Sequence, residues 1–382
     1  MRILFVTHAG DPGGAEFKMM AIAGTVGERA EVLLLQHGSL ETLLRDAGIR
    51  CSVLPMSAKT RGVRREGGFL DILRAVPGSI ATVVRLARKA RAHDVVVCFS
   101  QKAFVLASLA KPFMRRPILW FMNDILSDEH FNRGLIRMLI LLSRVSANGV
   151  ALVSQESFNA WLRAGGRRTG VSVVVSGIDP VQIARQLGDA ARIAEARHRF
   201  TPHGGPLIGM FGRICRWKGQ DVFLRAMALV PGARAVIAGA ALFEEHAYER
   251  ELHGLARELG ITERVCFAGH VDDAMTLMAA CDVVAHCSTA PEPSGRVIAE
   301  AMFAGTPVIG SNAGGVPEFI RDGETGLLTP LNDHEALAAA IRRYLDDPAW
   351  SREVAARARL RADQEFSSRA TIVGFQRALE AL

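Results

Sequence analysis

The chain has 382 residues, of which 49% are hydrophobic and 22% are charged. These proportions are typical of a globular protein, and the length favours two domains. Because no run approaches eighteen uninterrupted apolar residues and the six cysteines form no CxxC pair, we expect neither a membrane span nor a disulfide framework. The opening MRILFVTHAGD is too short an apolar run for a signal peptide, so we expect a cytoplasmic protein.

The formal net charge of +7 is unevenly distributed along the chain. Residues 1–175 contain 24 Lys and Arg against 13 Asp and Glu, a net of +11. Residues 176–382 contain 22 against 26, a net of −4. The basic first half and the mildly acidic second half are therefore expected to meet different partners.

Short apolar segments alternate with helical patterns throughout the chain. The first half contains the predicted strands RILFVTH, EVLLLQHG, CSVLPM, DVVVCFS, PILWFMND and GVALVS, and it closes with VSVVVSGIDP. The pattern restarts with PLIGMFGRI, ARAVIAGA, RVCFAGH, DVVAHCS and TPVIGS. Continuous apolar strands interleaved with helices indicate parallel sheets that are covered on both faces. The sequence predicts an α/β protein with two Rossmann-like domains and a boundary near residue 178.

One carboxylate, Glu300, lies in the middle of an otherwise apolar helix. The segment SGRVIAEAMFAG predicts a helix that begins near Gly295, is capped by Gly305 and runs into the strand TPVIG. Under one interpretation Glu300 pairs with Arg296 on a solvated face, which would contribute only about 0.3–0.5 kcal/mol. The apolar neighbours favour a second interpretation, in which the buried carboxylate accepts hydrogen bonds from ligand hydroxyls.

Two loops carry weaker signals. In 211-FGRICRWKGQ-220, Arg213 and Lys218 flank a turn and could converge on one anion. In 10-GDPGGAE-16, Gly13 and Gly14 follow the first strand and would let backbone approach a ligand closely. Solvated basic residues and an ordinary turn are the alternatives when each loop is taken alone. The second loop lacks Gly-Lys-Ser/Thr, so it is not a P-loop.

Together these motifs resemble the family-4 glycosyltransferases, a group 1 family with the GT-B fold. The resemblance is carried by GRx4KG at 212–219, by Glu292-Pro293-Ser294-Gly295 followed by Glu300, and by GGVPE and DGETGLL at 314–318 and 322–328. It implies two Rossmann-like domains whose parallel sheets face each other across a cleft. Residues 1–178 would bind the acceptor and residues 179–364 the nucleotide-sugar donor, and a C-terminal helix at about 365–382 would pack back on the first domain.

The resemblance also implies roles for individual residues. Glu300 would bind the ribose hydroxyls, Glu292 would face the transferred sugar, and Arg213 and Lys218 would stabilise the leaving diphosphate. Loops after two strands would hold the nucleobase, mainly through backbone. The remaining donor-binding positions implied are Gly13, Gly14, Gly239, His270, Val271, Ser294, Gly295, Arg296 and Val297.

The chain departs from the family's pattern at two positions. Ser294 stands where the family usually has Phe, which would alter the sugar pocket. Asn123 stands where many members have a histidine in the first domain. Asp124 and His130 are the nearby polar candidates for a catalytic role, and a structural histidine is the alternative for His130.

The predicted activity is transfer of a hexose-type sugar from a nucleotide diphosphate sugar to a hydroxyl acceptor, with retention of configuration. We expect a lipid-linked or saccharide acceptor, from cell-surface polysaccharide or glycolipid biosynthesis. No Asp-x-Asp triplet occurs in the sequence, so we expect no metal and no cofactor. A nucleotide-sugar epimerase and a small-molecule glycosyltransferase stay open as alternatives.

The basic first half also predicts association with an anionic membrane surface at the inner face of the cell membrane. Residues 61–91 carry eight Arg and Lys against two acids. Residues 80–91 place Ile80, Val83, Val84 and Ala87 at helical spacing, with Arg85, Arg88, Lys89 and Arg91 largely elsewhere. Phe113, Met114, Arg115 and Arg116 would form a second basic and apolar edge. An ordinary helix whose apolar stripe faces the sheet is the alternative, and no nucleic-acid recognition module accompanies the charge.

Overall fold

The computed structural model describes residues 1–56, 69–129, 131–241 and 245–382, with only the backbone for residues 69–78. The chain divides into two compact units. One comprises Met1–Ser176 and Ser368–Leu382, and the other comprises Gly177–Ser367. No helix in the described ranges is both long enough and apolar enough to cross a membrane.

The first unit contains one parallel sheet whose described strands follow the order β3-β2-β1-β4-β5-β6-β7. Its elements up to residue 176 are β1 (Ile3–Thr7), α1 (Gly14–Val26), β2 (Ala30–Leu34), α2 (Ser39–Asp46), β3 (Cys51–Val53), α3 (Phe69–Ala90), β4 (Val95–Cys98), α4 (Gln101–Met114), β5 (Ile118–Met122), α5 (Arg133–Ser146), β6 (Gly149–Leu152), α6 (Gln155–Arg163) and β7 (Val171–Val173). The central strands are buried on both faces, because helices cover each side of the sheet.

The second unit repeats this architecture with the described strand order β10-β9-β8-β11-β12-β13. Its elements are α7 (Pro180–Leu187), α8 (Ala190–Phe200), β8 (Leu207–Phe211), α9 (Gln220–Ala228), β9 (Arg234–Ala238), α10 (His246–Glu258), β10 (Val265–Gly269), α11 (Ala274–Ala279), β11 (Val283–Ala285), α12 (Arg296–Ala304), β12 (Val308–Ser311), β13 (Leu327–Thr329), α13 (His334–Asp346) and α14 (Pro348–Glu365). All described strand pairs in both sheets are parallel. The prediction of two Rossmann-like α/β domains is therefore confirmed.

The last helix, α15 (Ser368–Glu380), returns to the first unit. Its Phe375 is buried and stacks on the ring of Phe5, with 5.9 Å between the ring centroids. The Thr371 hydroxyl donates a hydrogen bond of 2.8 Å to the Val175 carbonyl. Burial of an aromatic ring against the sheet is the main contribution that this helix makes to the first unit's core.

In the second unit, one strand was not predicted from the sequence and one helix was predicted closely. Strand β13 was not predicted, because three residues after the DGETG turn are too short to show a period. The helix α12 was predicted well: Gly295 precedes it and Gly305 ends it in the left-handed conformation, with φ of 71°.

Candidate functional site

Glu292 lies beside the carboxyl ends of the strands in the second unit, where ligands bind in open parallel sheets. Its buried side chain accepts hydrogen bonds through one oxygen, Oε1, from two elements. The Lys218 ammonium donates at 2.6 Å and the His286 ring nitrogen Nε2 lies at 2.7 Å. The Ser288 hydroxyl is a further donor to the same atom. Among the described residues none donates to Oε2.

These contacts set the charge of Glu292. Burial alone would raise the pKa of this carboxyl, since removal from water disfavours the charged form. The Lys218 ammonium and the His286 ring outweigh burial and hold the pKa well below its usual range. The site therefore contains a buried carboxylate that is ionised at neutral pH.

The arrangement is not a nucleophilic Ser-His-acid relay. Such a relay needs the serine on one ring nitrogen and the acid on the other. Here the Ser288 hydroxyl, at 3.3 Å, and Glu292 both meet the same nitrogen of His286, Nε2. We infer a fixed carboxylate rather than an activated serine.

The loop after β8 reaches this site through backbone contacts. The Thr289 N–H donates to the Trp217 carbonyl at 2.8 Å. Gly219 has φ of +75°, and a Cβ atom there would lie 2.1 Å from the Cys287 carbonyl oxygen. Only glycine allows this approach, which brings the neighbouring Lys218 to Glu292.

A second close approach holds Glu292 from the other side. The Gly315 N–H donates to the Glu292 carbonyl at 2.7 Å. Gly314 has φ of +62°, and a Cβ atom there would lie 2.3 Å from the same carbonyl oxygen. The glycine pair of the GGVPE motif thus fixes the backbone that carries Glu292.

The two predicted diphosphate ligands differ in their surroundings. The Lys218 side chain is largely buried and paired with Glu292, and its ammonium lies 4.5 Å from the centroid of the Trp217 ring. The Arg213 side chain is exposed and forms no ion pair within the described part of the chain. Pairing of Lys218 with Glu292 was not predicted, because nothing in the sequence indicates which strand ends lie side by side.

Glu300 and Arg296 form the pair that the first interpretation supposed, with 2.8 Å between Nε and Oε1. Their side chains are only 12% and 20% exposed, so the pair does not lie on a solvated face. A distance of 3.5 Å also joins the Arg296 guanidinium to the side-chain oxygen of Gln182. Ser294, two residues before this helix, and Val297, in its first turn, are both partly buried.

The loops after β8, β9 and β10 meet one another. The Gly239 N–H donates to the Gly269 carbonyl at 2.7 Å, and a Cβ atom on Gly239 would lie 1.9 Å from the Gly212 carbonyl oxygen. His270 is 77% exposed and pairs with Asp272, and with Val271 it lines a cavity of about 650 Å³. The structure thus joins Gly239 to the Arg213 loop and leaves the His270 side chain at the surface.

The candidates in the first unit lie at the carboxyl ends of its strands. Gly14 begins α1, and the Gly13 N–H is already bonded to the Glu16 carboxylate at 3.1 Å. Asn123 accepts a hydrogen bond of 3.0 Å from the buried Lys18 ammonium.

Of the two catalytic candidates in this unit, the structure describes one. Asp124 accepts a hydrogen bond from the Gln101 amide. His130 lies outside the described residues.

Three functional candidates were missed by the sequence analysis. His286 and Ser288 follow the buried strand β11 in the segment VVAHCS, and polar residues directly after a buried strand were the available signal. Lys18 is a charge inside the apolar helix α1, which is the same signal that singled out Glu300.

Comparisons with known proteins bear on this site. A family model described as glycosyl transferases group 1 matches residues 192–362. The lipopolysaccharide core biosynthesis glycosyltransferase LpsE of Rhizobium meliloti is 36% identical over 171 residues, 44% of this chain and 48% of that protein. A D-inositol 3-phosphate glycosyltransferase of Mycobacterium marinum is 39% identical over 137 residues, 35% of this chain and 29% of that protein. Each of these matches spans less than half of the relative's own length.

Solved structures match over both units. Anabaena Alr3699/HepE in complex with UDP-glucose is 34% identical with a TM-score of 0.90, and the match covers 100% of both chains. The chain belongs to the group 1 glycosyl transferases. A glycosyltransferase from Rickettsia africae, 18% identical with a TM-score of 0.83 over 100% of this chain and 98% of that one, shares the fold.

The group 1 family model begins within α8 and ends within α14, so it spans the whole Glu292 site. The first unit lies outside that segment, and the structural matches cover it. In the part of the chain that the structure describes, no cluster of three or more His, Cys, Asp or Glu could hold a metal ion.

The close approach of Gly314 to Glu292 predicts a specific stability difference. Gly314→Ala and Gly323→Ala both place a Cβ atom at positive φ, which costs about 1–2 kcal/mol. Gly323 has open space around that position, whereas Gly314 meets the Glu292 backbone. We expect Gly314→Ala to lower the free energy of unfolding clearly more than Gly323→Ala in urea titrations. Equal losses would show that the Glu292 contact is not tight.

Proposed function

We propose that this chain is a glycosyltransferase that moves a hexose from a UDP-sugar to a hydroxyl of a saccharide or lipid-linked acceptor. The observation that carries the proposal is the ionised, buried Glu292 beside the Lys218 ammonium. Both lie at the carboxyl ends of parallel strands, where ligands bind in such sheets. A fixed cation next to a fixed carboxylate suits a ligand that carries both phosphates and sugar hydroxyls. Support for UDP comes from the Anabaena protein, which aligns over its whole length and was solved with UDP-glucose.

In this proposal Glu292 binds the transferred sugar through Oε2. Its other oxygen, Oε1, is already occupied by donors from the protein. An ionised carboxylate accepts hydrogen bonds only, and sugar hydroxyls can donate them. Glu300, on the helix that starts just after Glu292, would accept hydrogen bonds from the ribose hydroxyls.

Departure of the diphosphate is the step that needs charge stabilisation. The Lys218 ammonium has three N–H donors, and one of them is used by Glu292. The other donors and the exposed Arg213 guanidinium would meet the phosphate oxygens as negative charge develops on them. We propose that these fixed cations serve in place of a metal ion, and that transfer proceeds with retention.

The acceptor is proposed to come from cell-surface polysaccharide or glycolipid biosynthesis. The relative from Rhizobium meliloti is named for lipopolysaccharide core biosynthesis, which supports a saccharide or lipid-linked acceptor. The polar residues at the strand ends of the first unit, among them Asn123 and Asp124, are the candidates for binding it. An epimerase would convert the donor without any acceptor, and transfer assays with and without acceptor separate the two functions.

Glu300→Ala tests the nucleotide site. We expect the affinity for UDP to fall about tenfold or more, because each hydrogen bond to a charged group contributes about 1.5–3 kcal/mol. Isothermal titration calorimetry with UDP measures the loss. Glu365→Ala is the matched control, since it also removes an i,i+4 pair, with Arg361, from a helix of the same unit. Unchanged UDP affinity in Glu300→Ala would contradict the ribose assignment.

Lys218→Ala and Arg213→Ala test the stabilisation of the leaving diphosphate. Each should lower kcat by about 10²–10³, the usual effect of removing one preorganised charge-stabilising group. Arg216→Ala is the control from the same loop, because Arg216 is exposed and paired with Glu251 at 2.7 Å. Turnover is followed by UDP release, and we expect it to persist in EDTA. A strict metal requirement would overturn the role given to the two cations.

We also propose that the first unit binds an anionic membrane surface, through helices α3, α4 and α5 on one side of its sheet. Among the side chains that the structure describes in these helices, the exposed large apolar residues are Ile80, Val84, Leu109, Phe113, Leu141 and Val145. The structure corrects part of the sequence prediction: Val83 and Ala87 are buried in the core, because the apolar stripe of α3 is split between core and solvent, and Met114 at the end of α4 is buried as well. Lys89 pairs with Glu31 at 2.5 Å. Arg85 and Arg88 stay as exposed basic residues beside Val84.

Vesicle sedimentation tests the membrane proposal. Binding should rise with the fraction of anionic lipid, fall with salt, and weaken in the double variant Arg85→Gln, Arg88→Gln, since each basic residue at an anionic surface contributes about 1 kcal/mol. The double variant Arg250→Gln, Arg257→Gln removes the same charge from α10 of the second unit, where both residues are exposed. Equal weakening by both double variants, or no binding at low salt, would point to a soluble acceptor.

A further inference from the structure

His286 is a buried histidine whose ring touches the proposed sugar-binding carboxylate. It directly follows β11, and its backbone is held on both sides: its N–H donates to the Ile309 carbonyl at 2.8 Å and its carbonyl accepts from the Ser311 hydroxyl at 3.2 Å. The ring nitrogen Nε2 lies 2.7 Å from Glu292 Oε1. The other ring nitrogen, Nδ1, is buried and has no partner among the described residues.

The direction of this hydrogen bond follows from the charge of Glu292. Because the carboxylate is ionised, it can only accept, so the proton between the two groups belongs to His286 Nε2. In its neutral form the ring carries one proton, which leaves Nδ1 as a bare acceptor.

Three protein groups contact Glu292 Oε1, namely Lys218, His286 and Ser288, and the first two differ in what else they bind. Lys218 approaches from the loop after β8, and under the proposed function it must also bind the diphosphate. A lysine has a flexible side chain, and its attraction is divided once a phosphate arrives. His286 is rigid and buried, and nothing in the proposed reaction draws its Nε2–H away from Glu292.

We propose that His286 is a positioning residue: its Nε2–H keeps Glu292 Oε1 in place when Lys218 engages the diphosphate, so that Oε2 stays directed at the sugar. This inference rests on the proposed function and names a residue that acts through Glu292. His286 is not a catalytic residue, because its described side-chain contacts are with Glu292 and Ser288.

The experiment compares substitutions that imitate one ring nitrogen or the other. His286→Gln places an amide N–H near the position of Nε2, whereas His286→Asn reaches only to the position of Nδ1. His286→Leu keeps the bulk and removes both. We expect kcat with a UDP-hexose to stay within about threefold of wild type in His286→Gln. It should fall about tenfold or more in His286→Asn and His286→Leu, the effect of one hydrogen bond to a charged group.

Binding of UDP alone provides the readout that a general structural defect would disturb. UDP lacks the transferred sugar, so its dissociation constant should stay within about twofold of wild type in all three variants. A kcat equal to that of wild type in His286→Asn or His286→Leu would overturn the proposal. A loss of kcat in His286→Gln as large as in His286→Leu would also overturn it. His253→Gln is the control from the same unit, since the exposed His253 ring packs against Phe267 at a tilt, with 4.0 Å between the ring centroids.

A measurement on the unaltered protein tests the Nε2–H hydrogen bond even if the variants do not fold. With ¹⁵N-labelled histidine, NMR should identify His286 with a proton on Nε2, and an Nε2 without a proton would overturn the assignment. Failure of the proposed function looks different: the wild-type protein would then neither bind UDP nor turn over any UDP-hexose. If the wild type transfers a hexose and the His286 variants match it, only the role of His286 is lost.

Discussion

The ion pair between Lys218 and Glu292 is the interaction on which the architecture of the second unit's site depends. Removing a carboxylate from water costs several kcal/mol, and a buried pair persists only when its geometry and its additional hydrogen bonds are good. Here Ser288 and His286 supply those hydrogen bonds to the same oxygen. The loops that carry these residues must therefore meet closely, and much of the local sequence serves that requirement.

Close packing of backbone against backbone brings these loops together. Gly219 lies against Cys287, Gly314 lies against Glu292, and Gly239 lies against Gly212, each at a distance that leaves no space for a Cβ atom. In these contacts backbone lies against backbone, so the positions of the loops do not depend on the rotamer of any side chain. The glycines of these motifs thus allow the loops to approach closely, and this close approach fixes the positions of the charged residues that the loops carry.

The sequence was sufficient for the fold, and it named Lys218 and Glu292, which the structure brings into contact. Continuous apolar strands with helices between them predicted both parallel sheets, because burial on two faces leaves a clear pattern. Glu300 was singled out because a charge in an apolar helix is unusual, whereas the roles given to Glu292 and Lys218 came from the family resemblance. His286 was missed because its partner is six residues away in sequence but is reached through a loop whose path no local pattern specifies. The splitting of the α3 stripe, with Val83 inside and Val84 outside, depends on how the helix rotates against the sheet.

The return of α15 to the first unit has a consequence for the order of folding on the ribosome. Residues 177–367 form one contiguous stretch, so the second unit can fold as soon as they have emerged. The first unit is synthesised earlier, yet the surface around Phe5 and Phe121 waits for Phe375, which is translated only after the second unit is complete. During that interval an apolar sheet face is exposed, and such surfaces are where nascent chains aggregate or recruit chaperones. The helix that closes the fold therefore makes maturation of the first unit dependent on completion of the second.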